Sequence, residues 1–158
     1  VIDVGQFREY IIDPVLEEMS MYSVAASELL LGTAIQESRL TYLVQLGGGP
    51  ALGVFQMEPA TFKDIWINYL AFRPSISKSV QSIAGVGAAE HATPVQMVWH
   101  LAFAAAMCRV HYRRVPEAMP PAGDYPAQAE YWKEYYNTPL GAGTAEEYIE
   151  NWENAHGH

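Results

Sequence analysis

Val24-Ala25-Ala26-Ser27-Glu28-Leu29-Leu30-Leu31-Gly32-Thr33-Ala34-Ile35-Gln36 is the stretch around which this chain organises itself. Alanine and leucine dominate it, and both are strong helix formers. Its apolar residues cover most of a helix circumference rather than one stripe, and a helix of that kind must be enclosed by others. It is therefore expected at the centre of the domain, ending near Glu37-Ser38.

The flanking sequence is also helical. Gln6 to Ser20 places Phe7, Ile11, Val15 and Met19 on one helical face, with Pro14 inside it to kink or split the helix. Gly47-Gly48-Gly49-Pro50 cannot be regular helix and reads as a turn or loop. Any β-hairpin belongs between Thr41 and Gln56. Pro59-Ala60-Thr61 opens a helix to about Leu70, with proline tolerated in the first turn. Arg73 to Ala92 is less regular, with a short helix around Ser77 to Ile83. Thr93-Pro94-Val95-Gln96 combines a capping threonine, a first-turn proline and a glutamine placed to reach back, and its helix should run to about Tyr112. Val115 to Pro126 holds four prolines and a glycine and reads as loop. Ala127 to Tyr136 is helical, and Thr144-Ala145-Glu146-Glu147 is a second capping box, opening a last helix to about Trp152. No repeat, low-complexity stretch or linker divides the chain. The expectation is one mainly α-helical domain over residues 1–158.

Bulk properties agree with that and exclude several functions. The chain has 158 residues, 50% hydrophobic and 17% charged, a globular composition able to bury roughly two-thirds of its unfolded surface. Its net charge of −9 argues against nucleic acid, which asks for a basic face. No apolar run approaches the roughly 20 residues of a membrane span; the longest, Met97 to Val110, is interrupted by His100 and Arg109. The single cysteine, Cys108, lies in Ala104-Ala105-Ala106-Met107-Cys108 and reads as a small buried hydrophobe rather than a nucleophile. The five histidines, His91, His100, His111, His156 and His158, include no pair at the i, i+4 spacing of a helical zinc site, so neither a metal nor another cofactor is expected. His100 and His111 read as packed helix residues. The glycine run lacks the lysine-serine of a phosphate loop, and Ser38 lacks the glycine-flanked elbow of a serine hydrolase and reads instead as a helix-end hydrogen bond or an orienting partner of Glu37.

Three segments carry chemistry. In Gln36-Glu37-Ser38-Arg39-Leu40 a carboxylate follows Leu29, Leu30, Thr33 and Ala34, and an acid against apolar walls ionises with difficulty. Glycosidases use such a raised acid to protonate the leaving oxygen of a sugar link; a solvated or paired glutamate is the plainer alternative. In Ala51-Leu52-Gly53-Val54-Phe55-Gln56-Met57-Glu58-Pro59-Ala60-Thr61 the amide of Gln56 can donate and accept at once, suiting a sugar N-acetyl or hydroxyl group, or it can merely tie down its loop. Glu58 is a candidate second carboxylate, or a glutamate favoured by the dipole of the following helix. The third segment, Glu134-Tyr135-Tyr136-Asn137-Thr138-Pro139-Leu140-Gly141, follows Tyr131, Trp132 and Tyr135, which stack on sugars if exposed and form core if not.

Glu37-Ser38 followed by Gly53-Val54-Phe55-Gln56-Met57-Glu58-Pro59-Ala60-Thr61 resembles the lytic transglycosylases of the goose-type lysozyme group. Their pattern is Glu-Ser, then Gly-Leu-Met-Gln, an apolar residue, a variable one and Pro-Ala-Thr. Tyr136-Asn137-Thr138-Pro139-Leu140-Gly141 resembles their later Ala-Tyr-Asn-Ala-Gly. Phe55 stands for their methionine, Glu58 for an apolar residue, and Thr138-Pro139 for Ala-Gly. Outside these motifs the chain resembles phage-type members.

The resemblance implies a lysozyme-like fold in which a helical lobe and a small hairpin or loop lobe flank a glycan cleft. It implies cleavage of the MurNAc-GlcNAc β-1,4 bond of peptidoglycan with Glu37 as general acid and base, the muramic 6-hydroxyl closing to a 1,6-anhydro product. Ser38, Phe55, Gln56, Tyr136 and Asn137 would contact the glycan strand, with Asn137 also holding the adjoining turn. One carboxylate then suffices; in the hydrolytic alternative Glu58 or Asp64 serves as the second, and a non-catalytic glycan-binding or virion protein on the same scaffold is the third reading. The site of action would be the bacterial cell wall or periplasm, with a larger virion or multidomain protein as the setting. The net charge gives no pull toward that anionic wall.

Overall fold

The computed structural model describes residues 1–86, 92–137 and 140–157. His91, His158 and the Thr138-Pro139 pair of the third motif lie outside them. Among the described residues the chain is mainly helical: α1 (Val4–Phe7), α2 (Asp13–Glu18), α3 (Val24–Ser38), α4 (Pro59–Asn68), α5 (Pro74–Ala84), α6 (Gln96–Trp99), α7 (Leu101–Arg113), α8 (Tyr125–Trp132) and α9 (Ala145–Ala155).

α3 is the central element the sequence predicts. The Ser23 hydroxyl caps it by accepting from the Ala26 N–H, and every residue from Ala26 to Ile35 is buried. α2, α7, α8 and α9 pack around it. The approach of α9 depends on Gly32, where a Cβ would overlap the Tyr148 hydroxyl. On the α7 side, the Thr33 and Tyr112 hydroxyls meet at 2.7 Å. The helix stops at Arg39, whose φ of 52° is left-handed.

Pro14, expected to kink or split the first helical stretch, does not end it: helical turns continue from Val4 to Glu18. Proline has no N–H to give to the carbonyl of Tyr10. A π turn over Arg8–Ile12 joins α1 to α2, with the Asp13 N–H donating to the Arg8 carbonyl five residues back. The extra residue also changes the buried face: Phe7 is followed by Ile12, fully buried, while Ile11 is only half-buried. A pattern of strict 3.6 periodicity therefore names the wrong isoleucine.

The helix expected from Thr93 to Tyr112 is also interrupted. Gln96 does reach back, its Oε1 accepting from the Thr93 N–H at 2.9 Å, but α6 starts only at Gln96 with no side-chain cap, so Thr93 is not its cap and Pro94 precedes its first turn. The backbone leaves helical geometry at His100 (φ −110°, ψ 90°), and His100 Nδ1 caps the new helix by accepting from the Phe103 N–H at 3.2 Å. His100 is thus a cap, not a helix-interior residue. α7 then carries a continuous buried run, Phe103 to Cys108, with the thiol enclosed.

Other boundaries differ for local reasons. α5 begins at Pro74 rather than near Ser77, because proline suits a first turn. α8 begins at Tyr125, with Asp124 accepting from the Ala127 N–H and Pro126 in its first turn, so Pro126 belongs to the helix and not to the loop. α8 passes into a second π turn, Lys133–Asn137. The Thr144 hydroxyl accepts from the Glu147 N–H at 3.1 Å and α9 continues to Ala155.

The expected hairpin is reduced to two isolated antiparallel bridges, Val44 with Leu52 and Leu52 with Met57. Leu52 and Met57 exchange both backbone bonds, at 2.9 and 3.0 Å, and so close a turn over residues 53–56. Among the described residues no helix is long and apolar enough to cross a membrane. No group of three or more His, Cys, Asp or Glu is arranged to hold a metal among them.

Candidate active site

A cleft of about 690 Å³ opens where the end of α3, the 45–58 segment, α7 and the second π turn meet. Its walls include Glu37, Gln56, Glu58, His111, Tyr136 and Asn137. Residues from all three motif segments therefore share one cavity, although Glu37 and Tyr136 are far apart in sequence. A second cavity, about 720 Å³ between the N-terminal residues and α9, has no buried acid: its carboxylates, Asp3, Glu147 and Glu150, are all exposed.

Glu37 occupies the last turn of α3, where the helix dipole already disfavours negative charge. Burial pushes its carboxyl up to about 7 from an ordinary 4.5. A hydrogen bond pulls weakly the other way: Trp132 Nε1 donates to Glu37 Oε2 at 3.0 Å. The carboxyl is thus poised to hold or release a proton near neutrality. Trp132 is itself fixed: it is buried, its ring lies 5.5 Å from that of Tyr148, and a Cβ at Gly143 would press into it. α3 carries another buried acid, Glu28, for contrast. Its Oε1 accepts from the Gly123 N–H at 2.9 Å, so it serves to anchor the 115–124 loop.

The turn over residues 53–56 is shaped by two left-handed residues. Gly53 has φ +77°, and a Cβ there would strike the Met97 carbonyl. Gln56 has φ 50°, a conformation costing a non-glycine residue roughly 1–2 kcal/mol. Its side-chain Nε2 donates to the Gly53 carbonyl at 2.9 Å. Gln56 thus lines the cleft and ties down its own loop at once, and both readings of it hold.

Tyr136 joins the third segment to the second. Its hydroxyl donates to the Phe55 carbonyl at 2.6 Å, and its ring packs against His111 with centroids 4.7 Å apart. Burial pushes its phenol up, so it remains a neutral donor. Asn137 Oδ1 accepts from Lys133 Nζ at 2.8 Å, and the same Nζ donates to the Gly141 carbonyl at 2.8 Å. Asn137 therefore helps clamp the adjoining turn while it lines the cleft.

Two residues expected to contact substrate do not line it. Ser38 is 1% exposed; its hydroxyl donates to the Ala34 carbonyl and accepts from the Leu40 N–H, closing the helix end. Phe55 is equally buried, packed on Phe7, and contributes only its carbonyl. Glu58, at the cap position of α4, is exposed and on the cleft wall. Asp64 is not on it. Asp64 accepts from Asn68 and pairs with Arg114 at 2.6 Å, and these partners hold its carboxyl below the usual range. If this cleft uses a second carboxylate, the geometry leaves that part to Glu58. Tyr131 and Trp132 are core residues, as helical spacing suggests, and Tyr135 is half-buried against Tyr131.

Sequence reasoning missed the roles of Trp132 and His111. Trp132 bonds the acid across 95 residues of chain, and nothing in its neighbourhood signals that. His111 is packed as expected, yet it also forms cleft wall. Its Nε2 donates to the Tyr135 carbonyl at 3.0 Å and its Nδ1 accepts from Arg114 at 3.2 Å. Burial pushes it down to about 4, so its ring is neutral at physiological pH.

Compared with family models, with curated proteins and with solved structures, the chain matches none.

Proposed function

We propose that this cleft binds a glycan strand of bacterial peptidoglycan and breaks its MurNAc-GlcNAc β-1,4 bond, with Glu37 as general acid and then general base. The observation that carries the reading is the Glu37 carboxyl, held by burial at a pKa of about 7 in the wall of a cleft of about 690 Å³. Two other cleft residues, Gln56 and Asn137, bear amides suited to sugar hydroxyl and N-acetyl groups. The two-lobed, lysozyme-like arrangement is part of the same proposal: the helices around α3 form one wall and the 41–58 segment the other.

The chemistry follows from a single proton. Protonated Glu37 gives it to the glycosidic oxygen as the bond to the anomeric carbon breaks and positive charge develops there. The muramic 6-hydroxyl adds to that carbon and returns its proton to Glu37, yielding a 1,6-anhydro sugar and restoring the acid. Trp132 keeps the carboxyl oriented, and its N–H steadies the carboxylate formed between the two steps. A phage-type wall-degrading protein is the setting that the sequence resemblance suggests.

A second reading is favoured by one observation. Glu58 lines the same cleft, and water attack assisted by a second carboxyl would make the protein a hydrolytic lysozyme. Mass spectrometry of digested purified peptidoglycan separates the two. Muropeptides lacking one water, without new reducing ends, are expected from the wild type and none from Glu37→Gln. Reducing ends would transfer the assignment to the hydrolytic route. No cleavage by the folded wild type would refute both and leave glycan binding.

A further inference from the structure

The chain has 18 acidic residues against 9 lysines and arginines, yet three of those nine line one cavity. It measures about 520 Å³ and lies between the start of α5 and the end of α7, with Arg73, Arg113 and Arg114 on its walls and no carboxylate among them. We infer that this cavity is a binding site for a phosphate group, separate from the glycan cleft.

Two guanidinium groups are already held in place. Arg73 is stacked over the Tyr69 ring with its central carbon 4.1 Å from the centroid. Arg114 is fixed by Asp64 at 2.6 Å and by His111 at 3.2 Å. Asp64 offsets the charge of Arg114, and Arg73 and Arg113 remain to meet an anion. Arg109 lies one turn before Arg113 on α7; burial first, and then the like charge of Arg113, hold its guanidinium below its ordinary value.

The backbone contributes as well. α5 has 11 residues, and no side chain caps its N-terminus. Ser75 and Ile76, which line the cavity, are in its first turn, where N–H groups have no partner within the helix. Pro74 fills the preceding position without donating. First-turn N–H groups and the positive end of the dipole, placed among guanidinium forks, form the donor set that phosphate oxygens accept from. A carboxylate would use fewer of these donors. The phosphate can come from a small molecule or from a phosphodiester polymer. The site does not depend on any reading of the cleft chemistry.

The test is an NMR titration of the ¹⁵N-labelled protein with inorganic phosphate at constant ionic strength, chloride serving as control. Saturable shifts centred on the Ser75 and Ile76 amides are expected. The double variant Arg73→Ala/Arg113→Ala removes two exposed side chains outside the cleft, and should weaken binding about tenfold or more while melting like the wild type. Ser75→Asp places a carboxylate at the helix start and should block the site in a second way. A further titration with poly(glycerol phosphate) identifies the source: tighter binding than inorganic phosphate means a polymer, equal or weaker binding a small phosphate. Absence of saturation in the wild type, or equal affinity in the double variant, would overturn the inference.

Discussion

Replacing Glu37 by glutamine removes a carboxyl that the fold holds away from water, and the effect on stability must depend on pH. The folded carboxyl titrates at about 7 against an ordinary 4.5. At about 1.4 kcal/mol per tenfold, that difference amounts to about 3 kcal/mol. The sign follows from proton linkage. Below pH 4.5 the carboxyl is protonated both folded and unfolded, and its burial opposes folding little. As pH rises toward 7 the unfolded chain ionises while the folded one retains its proton, so the wild type loses stability over that window. Above 7 the loss is complete. Glutamine is isosteric, cannot ionise, and keeps a carbonyl oxygen for Trp132 Nε1. Glu37→Gln should therefore match the wild type at pH 4 and exceed it by about 3 kcal/mol at pH 8, on the order of 8 °C in Tm for a chain of this size. Urea denaturation at the two pH values, followed by tryptophan fluorescence, is the assay. Equal differences at both values, or a wild type more stable at pH 8, would mean that the carboxyl is not held as described.

The same value sets the working range of the proposed acid: cleavage should decline as pH rises through about 7, measured as initial rate on purified peptidoglycan. Because the Trp132 bond favours the ionised form, Trp132→Phe should move that alkaline limb upward even as it lowers the rate. Gly53→Ala combines a left-handed φ with a collision against the Met97 carbonyl, and should cost about 2 kcal/mol or more by thermal melting. The Tyr148 hydroxyl is buried without a hydrogen-bond partner among the described residues, so Tyr148→Phe should be neutral or stabilising by about 1 kcal/mol in the same assay. Tyr136→Phe leaves the Phe55 carbonyl unpaired, and should cost about 1–3 kcal/mol in a urea melt.

The helices were legible where local rules act alone. The all-round apolar pattern of residues 24–36 identifies the central helix, and the side chain of Thr144 caps as its spacing suggests. The misreadings arise where one residue changes the phase or direction of a helix. Pro14 is accommodated by a π turn and not by a break, which moves burial from Ile11 to Ile12. His100 supplies a cap in the middle of an otherwise continuous apolar run. At the site, Glu37 could be suspected because it ends a very apolar helix, and burial does raise its pKa. The bond from Trp132, the inward turn of Phe55 and the placement of His111 depend on contacts between distant segments, about which local pattern is silent.

Four of the polar bonds that tie α3 and its neighbouring turn to the rest of the chain reach far ahead in sequence. Thr33 to Tyr112 spans 79 residues, Phe55 to Tyr136 spans 81, Glu37 to Trp132 spans 95, and Gln36 to Asn151 spans 115. On a ribosome, the acid and its glutamine neighbour emerge long before any of these partners exist. Glu37 then behaves as an ordinary solvated glutamate, ionised and inert as a proton donor. It becomes poised only when α8 closes over it, among the slower events for contacts so far apart in sequence. Synthesis order thus delays the arming of the carboxyl until most of the domain has been made.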